Sequence, residues 1–245
     1  MSIPKAKDVS TKDISFARGI YRDLGKMLNT NGLNVDFAPV VDLNINPDNT
    51  VIVKLGRSFG KDPKKVVEYS SVFIDELKKQ NVISVLKHFP GHGSSLGDSH
   101  EGFVDISNTW NSVELEPYKY LIKNNQAHMI MTAHVFNKFL DPKYPATLSK
   151  NINTRLLRDK LGFKGVLVTD DLQMRAISKH YTLEQTVSLA INSGVDMLLF
   201  ANQLAKPVHL EEIINTVYKQ VENKQISIKR IIEANRRINT LINKY

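Results

Sequence analysis

The chain has 245 residues, of which 33 are Lys or Arg and 25 are Asp or Glu, so its formal net charge is +8. A hydrophobic content of 42% excludes a wholly disordered or fibrous chain, and the length suffices for a buried core. The lack of cysteine excludes disulfides, thiolate metal ligands and a cysteine nucleophile.

The same composition bears on membrane and nucleic-acid partners. No apolar run approaches the roughly 20 residues of a membrane span, and residues 1–10 lack the apolar segment of a signal peptide. We therefore expect no membrane span and a cytoplasmic location, with a periplasmic or secreted protein as the alternative if an export signal preceded residue 1. The lysines are scattered through helical stretches, which indicates a solvated surface rather than a nucleic-acid site.

Hydrophobic periodicity predicts short strands that alternate with longer helices. In chain order the prediction is helix 13–30, strand 33–43, helix 62–80, strand 82–86, helix 114–124, strand 128–134, helix 153–161, strand 166–169, a helix to about residue 192, strand 195–200, and helix throughout the region after residue 204, ending with 226–243. Strands separated by helices indicate an α/β fold with a parallel sheet.

Polar residues follow every predicted strand, namely Asp42, Lys87-His88, His134, Asp170-Asp171 and Asn202. The carboxyl ends of parallel strands carry the active site in a (β/α)8 TIM-type barrel, and they bind ligands in an open doubly wound sheet as well. No glycine-rich phosphate loop follows a strand, which favours the barrel. A closed barrel needs eight strands and only five are convincing. We therefore predict a single domain over 1–245 that is an incomplete TIM-type barrel without its first three strands.

The densest group of chemically active side chains is KHFPGHGSSLGDSH at residues 87–100, whose glycines and proline indicate a loop at the end of a strand. Asp98 lies two residues before His100, so its carboxylate can orient that imidazole and favour its protonated form. Such a pair is a candidate general acid/base. The alternative is an exposed turn that contains a histidine by chance.

A second group lies at residues 164–174, where an apolar strand ends in two consecutive acids. We assign Asp170 to chemistry and Asp171 to structure, as a cap of the following helix. The alternative is that both acids cap the helix. A zinc site formed by His88, His92, Asp98 and His100 has suitable ligand types, but the Pro-Gly turn breaks the regular spacing, so we expect no metal.

Four motifs together resemble glycoside hydrolase family 3, and more narrowly its bacterial β-N-acetylhexosaminidase branch. They are NVDFAPVVD at 34–42, RSFG at 57–60, KHFPGHG with DSH within 87–100, and GFKGVLVTDDLQM at 162–174. The resemblance extends from about residue 4 to residue 202. It implies a (β/α)8 fold and a small carbohydrate substrate, and we expect no cofactor.

The resemblance also implies a retaining mechanism on terminal β-linked N-acetylglucosamine of peptidoglycan fragments or chitin-type oligosaccharides. In it Asp170 is the nucleophile, His100 the acid/base and Asp98 its dyad partner. The sugar-binding positions are Arg57, Lys87 and His88. An imidazole repels an incoming anion less than a carboxylate does, so phosphorolysis is an alternative to hydrolysis.

The chain departs from the family pattern near its start, because relatives carry an Asp-Gln-Glu-Gly-Gly motif upstream of residues 3–4 and this sequence has none. That difference agrees with the low strand count. An open sheet exposes an edge and apolar surface, so we expect self-association or completion of the barrel by another segment. The alternative function is a catalytically impaired remnant that binds sugar or pairs with a partner chain.

Overall fold

The computed structural model describes residues 2–97, 102, 104–203 and 206–245. The chain forms two compact units. Unit 1 comprises Met1–Leu96, Thr109–Met131 and Lys244–Tyr245, and unit 2 comprises Gly97–Asn108 and Thr132–Asn243. Each unit is described below by itself.

Helices and strands alternate along most of the chain. The strands are β1 (Val35–Asp36), β2 (Ile83–Phe89), β3 (Val104–Asp105), β4 (Met129–Thr132), β5 (Val135–Phe136) and β6 (Val166–Val168). The α-helices are α1 (Ala6–Val9), α2 (Ile14–Thr30), α3 (Pro63–Lys78), α4 (Glu116–Lys123), α5 (Arg175–Ser178), α6 (Leu183–Ser193), α7 (Leu210–Glu222) and α8 (Ile228–Ile242). Short 3-10 helices cover Ser112–Leu115 and Ala146–Leu148, and Asn151–Lys160 is a π-helix.

Unit 1 is organised around β2, which is buried over most of its length. β1 pairs with β2 in parallel, with Val35 opposite Ile83, and β4 is the next neighbour of β2 in the sheet. Helices α2 and α3 pack against each other, and the rings of Tyr21 and Phe73 meet edge to face at 4.7 Å. A strand covered on both faces needs an almost continuous apolar sequence, which explains why Ser84 is the one polar residue of β2 before Lys87.

Unit 2 contains β6, which makes a parallel bridge from Val168 to Met197, and the two-residue strands β3 and β5, which pair in parallel. Helix α6 begins with a capping box. The Thr182 hydroxyl accepts the backbone N–H of Gln185, and the Gln185 side chain accepts the backbone N–H of Thr182. Each bond satisfies an N–H at the helix start that has no partner within the helix.

A buried carboxylate connects α8 to the rest of unit 2. Asp196 contacts the guanidinium of Arg230 at 2.6 Å and that of Arg237 at 3.0 Å, both on α8. It also contacts Arg158 of the π-helix at 2.6 Å and accepts the backbone N–H of Leu167 at 3.0 Å. These bonds hold the last helix against the polypeptide around β6.

The α/β class with parallel strands is confirmed, but the described residues show no closed barrel. Predicted strand 33–43 is reduced to β1 and a bridge at Val40, since Pro39 has no N–H to donate to a ladder. Predicted strand 195–200 is reduced to the bridge at Met197, because Asp196 pairs with arginines and the Leu199 N–H donates to the Thr169 hydroxyl.

The remaining differences lie in unit 2 and in its helices. The single helix predicted to follow residue 171 is two helices, α5 and α6, and β3 and β5 were not predicted. Two-residue strands have too little alternation to be recognised by period. In the described part of the chain, each helix is too short or too polar to cross a membrane.

Candidate active site

The end of β2 delivers two of the predicted sugar-binding residues. Lys87 is half-buried and His88 is buried. The carboxylate of Asp42 accepts a hydrogen bond from Nδ1 of His88 at 2.7 Å, and it also accepts the backbone N–H of His88 at 3.1 Å. His88 is therefore fixed both in ring orientation and in backbone position by one side chain that lies 46 residues earlier in the chain.

Asp42 is fully enclosed, with 1% of its surface exposed. Burial by itself raises the pKa of the Asp42 carboxyl, but the interactions with His88 and His92 outweigh burial and hold the pKa below its ordinary value. A further bond comes from the backbone N–H of His92, at 2.8 Å. The carboxylate is thus ionised and organises the region that follows β2.

Arg57 approaches the other side of the His88 ring. Its Nη2 lies 3.4 Å from Nε2 of His88, and its Nη1 donates to the Val51 carbonyl at 3.2 Å. A guanidinium can only donate, so Nε2 of His88 is the acceptor while Nδ1–H donates to Asp42. The structure therefore brings Arg57 and His88 together, and their role in sugar binding stays a prediction.

Lys87 lies next to His88 in the chain and interacts electrostatically with Asp36 of β1. Burial raises the pKa of the Asp36 carboxyl, and the ammonium of Lys87 lowers it by a smaller amount, so the net direction is upward. Lys87 also joins the strand ladder, because its carbonyl accepts the N–H of Val41 at 2.9 Å. Lys87 is thus held by its backbone at the end of β2.

Residues 90–96, which we call the β2 loop, continue directly from β2 and are almost entirely buried. The Asn49 side-chain amide donates to the carbonyl of His92 at 2.8 Å and to the hydroxyl of Ser95 at 2.9 Å. The Ser95 hydroxyl in turn bonds to Nδ1 of His92 at 2.7 Å. A Cβ at Gly93 would lie 1.7 Å from the carbonyl oxygen of Leu43, so only glycine allows this close approach.

Glu114 also contacts the β2 loop and is almost fully buried, with 1% of its surface exposed. Its Oε2 accepts the backbone N–H of Gly93 at 2.9 Å. Burial is the main cause that raises the pKa of Glu114 to about 7. A hydrogen bond with the Ser94 side chain opposes it, the nearby charge of Asp42 raises the pKa further, and the backbone N–H groups of Gly93 and Ser94 lower it by less. The β2 loop therefore contacts two carboxyl groups whose pKa values shift in opposite directions, downward for Asp42 and upward for Glu114.

In unit 2, strand β6 leads to the two acids that the sequence singles out. Asp170 is partly exposed, and its Oδ1 accepts the backbone N–H of Asp171 at 2.8 Å. Asp171 is buried, and its Oδ1 accepts the N–H groups of Gln173 at 3.1 Å and Ala201 at 3.2 Å. Asp171 does not cap the next helix, because α5 begins at Arg175 with Met174 as its N-cap, and the chemical role of Asp170 stays a prediction.

His134 is hydrogen-bonded to the segment that carries these two acids. Its Nε2 donates to the Asp171 carbonyl at 2.8 Å, and its Nδ1 bonds to the hydroxyl of Thr147 at 2.7 Å. Both ring nitrogens are thus engaged in a buried network with backbone and hydroxyl groups. His134 therefore orders the polypeptide that carries Asp170.

The family model for the glycosyl hydrolase family 3 N-terminal domain matches residues 4–241. The chain belongs to glycosyl hydrolase family 3. Among similar proteins is beta-hexosaminidase A of Pseudoalteromonas piscicida, 37% identical over 210 residues, which are 80% of this chain and 34% of that protein. Beta-hexosaminidase LpqI of Mycobacterium bovis (strain BCG / Pasteur 1173P2) is 36% identical over 220 residues, which are 86% of this chain and 55% of the relative.

A solved family 3 structure has the same fold. The glycoside hydrolase family 3 beta-N-acetylglucosaminidase from Paenibacillus sp. str. FPU-7 superposes with a TM-score of 0.89 at 31% identity, over 100% of this chain and 46% of that one. The chain thus spans between about a third and about half of the length of these family 3 relatives.

Two predicted residues of the family 3 site belong to the part of the chain outside the described ranges. Asp98 and His100 lie outside the described residues, and so does the predicted contact between them. The zinc alternative, which uses both, therefore stays untested, although the described residues contain no group of three potential metal ligands.

Two residues of this region were not predicted to have a role. The sequence places Asp42 at a strand end without a partner, and it gives Glu114 only as the start of a helix. An acid at the end of a buried strand is a weak signal for Asp42. Nothing in the local pattern distinguishes Glu114 from an ordinary acid near a helix start, because its contact with Gly93 spans 21 residues.

Proposed function

We propose that this chain is the catalytic region of a retaining glycosidase that removes terminal β-linked N-acetylglucosamine from peptidoglycan fragments or chitooligosaccharides. Membership of family 3 supports this proposal, as do the relatives named beta-hexosaminidase and the solved beta-N-acetylglucosaminidase. The observation that carries it is the partly exposed Asp170 two residues after the end of β6, beside a buried Asp171 whose carboxylate accepts backbone N–H groups.

In the proposed mechanism Asp170 attacks the anomeric carbon, and the bond from that carbon to the leaving oxygen breaks. His100, oriented by Asp98, gives its proton to the leaving oxygen. His100 then takes a proton from water, whose oxygen attacks the anomeric carbon and releases Asp170. An imidazole supported by a carboxylate thus replaces the acid/base carboxyl of the two-carboxylate scheme.

Arg57, Lys87 and His88 bind the sugar in this proposal. Two of the five N–H donors of Arg57 have partners among the described residues, Val51 and His88, so further donors can reach sugar hydroxyls. The bonds from Asp42 hold His88 in one orientation, which reduces the entropy lost when a sugar binds.

The proposal includes the architecture and location that the sequence predicts. The fold expected for such an enzyme is an incomplete (β/α)8 TIM-type barrel, in which polar residues at the carboxyl ends of the parallel strands form the site. The cytoplasmic location stays a prediction.

Hydrolysis of a chromogenic N-acetylglucosaminide tests the function directly. We expect Asp170→Ala to lower kcat/KM by roughly a thousandfold or more, because the nucleophile is lost. The matched control is Asp159→Asn, an exposed acid on the π-helix, which should retain activity. Full activity of the Asp170 variant would refute the nucleophile assignment.

The same assay separates the alternatives. No turnover by the unmodified chain would favour a sugar-binding remnant over an enzyme. Addition of phosphate distinguishes the reaction type, since a phosphorylase would form a sugar 1-phosphate whereas a hydrolase releases the free sugar.

A further inference from the structure

Glu114 is packed against the β2 loop more tightly than a surface acid at a helix start would be. Its Oε2 accepts the N–H of Gly93 at 2.9 Å, and Gly91 leaves room for it. A Cβ at Gly91 would lie 2.6 Å from Cβ and 2.7 Å from Oε2 of Glu114. Glycine at position 91 therefore makes room for Glu114, and glycine at position 93 makes room for the backbone of Leu43.

The groups that face Glu114 come from three parts of unit 1. Asp42 follows the β1 region and is held ionised by His88 and His92. The β2 loop contributes Ser94, and His92 bonds to Asp42 through its backbone. From α4, the fully buried phenol of Tyr118 interacts electrostatically with Glu114, and burial raises the pKa of that phenol well above its usual value.

Ionisation of Glu114 is costly in this environment. A second negative charge would then lie beside Asp42, in an interior where few donors compensate it. The neutral acid, in contrast, still accepts the Gly93 N–H through one oxygen and can donate its own proton to a neighbouring hydroxyl. Both considerations favour the neutral side chain in this packing.

We propose that Glu114 is a proton-dependent positioning residue for the β2 loop. In its neutral form it holds residues 90–96 as seen here, and its ionisation beside Asp42 displaces that loop. Since His88 precedes the loop and the proposed acid/base His100 follows it in the chain, the displacement lowers activity above neutral pH. The effect on activity rests on the proposed function, whereas the effect on loop position does not.

The chain contains its own reporter of this change. Trp110 is its single tryptophan, and its indole Nε1–H donates to the carbonyl of Pro90 at 3.1 Å. Pro90 is the first residue of the β2 loop, and Trp110 lies four residues before Glu114. Tryptophan fluorescence therefore reports the position of the loop without any label or substrate.

The test is a fluorescence titration from pH 5 to 9 of the unmodified chain, Glu114→Gln and Glu116→Gln. Glutamine mimics the neutral acid and cannot ionise. Glu116 is a matched control, because it starts α4 two residues later and is an exposed residue that pairs with Lys119 at 2.6 Å. We expect a transition near pH 7 in the unmodified chain and in Glu116→Gln, and none in Glu114→Gln.

Thermal unfolding gives a second readout that is independent of the tryptophan. The pKa of Glu114 is higher in the folded protein than in the unfolded chain, so its contribution to stability is full below about pH 4.5 and is lost as pH rises through about 7. We expect the Tm difference between pH 5 and pH 8 to be smaller in Glu114→Gln than in Glu116→Gln.

Two outcomes would overturn the proposal. One is an unmodified chain with no fluorescence transition, and the other is an equal transition in Glu114→Gln, which would assign the transition to a different group. If Glu114→Gln does not fold, an NMR titration of the unmodified chain takes the place of the variant. It follows the carboxyl 13C resonance of Glu114, which is identified by its proximity to the Gly93 amide. Titration of that resonance at its ordinary value near 4.5 would likewise refute the proposal.

Kinetics then separate this proposal from the proposed function. If the chain hydrolyses N-acetylglucosaminides, the alkaline limb of its kcat/KM profile should move up by about one pH unit or more in Glu114→Gln, with little change at pH 5. An unmoved alkaline limb would overturn the catalytic consequence. If the chain has no activity, the fluorescence and Tm titrations still decide whether Glu114 positions the loop.

Discussion

Single residues determine the local order of the His88 region, and Asp42 contributes most of the bonds. Its carboxylate accepts the ring Nδ1–H of His88 and the backbone N–H groups of His88 and His92. We predict that Asp42→Asn lowers the free energy of unfolding by about 3 kcal/mol at pH 7. The side-chain NH2 of asparagine would face the N–H donors of His88 and His92 at a buried position, where no water can satisfy them. Urea unfolding measures the difference.

The pH dependence of that difference follows from the lowered pKa of Asp42. Its contribution is present above the unfolded pKa of about 3.8 and is lost as pH falls through the lower folded pKa, so the difference shrinks in acid. Asp48→Asn is the matched control, since Asp48 is 80% exposed and pairs with Lys54 only at 3.6 Å. An equal effect of both substitutions would contradict the prediction.

At the level of elements, α8 depends on polar contacts with Asp196 as well as on apolar packing. Burial lowers the pKa of Arg158 to about 10 despite the adjacent carboxylate of Asp196. We predict that Asp196→Asn destabilises the protein by about 3 kcal/mol or more, because Arg158, Arg230 and Arg237 then lie together without a counter-ion.

Urea unfolding of Asp196→Asn against Asp159→Asn checks this, and limited proteolysis should show earlier cleavage near α8 in the first variant. Asp159 is exposed on the same π-helix that carries Arg158. Stability within about 0.5 kcal/mol of the unmodified chain would show that apolar packing alone holds α8.

For the whole molecule, the exposed faces of α7 and α8 support the predicted self-association. Leu210, Ile214 and Tyr218 follow one another at four-residue spacing on α7 and are 71%, 55% and 64% exposed. Ile228 and Ile232 have the same spacing on α8 and are 62% and 61% exposed. Apolar side chains grouped in this way are typical of a surface that another segment or another copy covers.

We predict that the chain associates at micromolar concentration in sedimentation velocity experiments. The double substitution Ile214→Lys and Tyr218→Lys should shift the population toward monomer, because charge disfavours burial of the face. Asn215→Lys, at an exposed polar position of α7, is the control and should leave association unchanged. A monodisperse, cooperatively melting monomer would contradict this prediction and the expectation of an open sheet.

Much of the fold follows from short-range patterns in the sequence. The apolar run of β2 and the helical periodicity of α2 and α3 have the length and composition that define each element, so their bounds are predicted to within a few residues. The pattern fails where the backbone departs from regular pairing. Pro39 interrupts the first predicted strand, and the pairing of Asp196 with three arginines reduces the last one to a single bridge.

The sequence by itself determined the α/β class and the family motifs, because each is a matter of residue type at a local spacing. The candidate residues Arg57, Lys87, His88 and Asp170 follow from the resemblance that those motifs carry, and their roles stay predictions. Only the tertiary structure decided that Asp42 fixes His88 and that Glu114 supports the β2 loop. The reason is physical: these contacts join residues 46 and 21 positions apart, and the pKa shifts of both carboxyls come from burial and neighbours that exist only once the chain has folded.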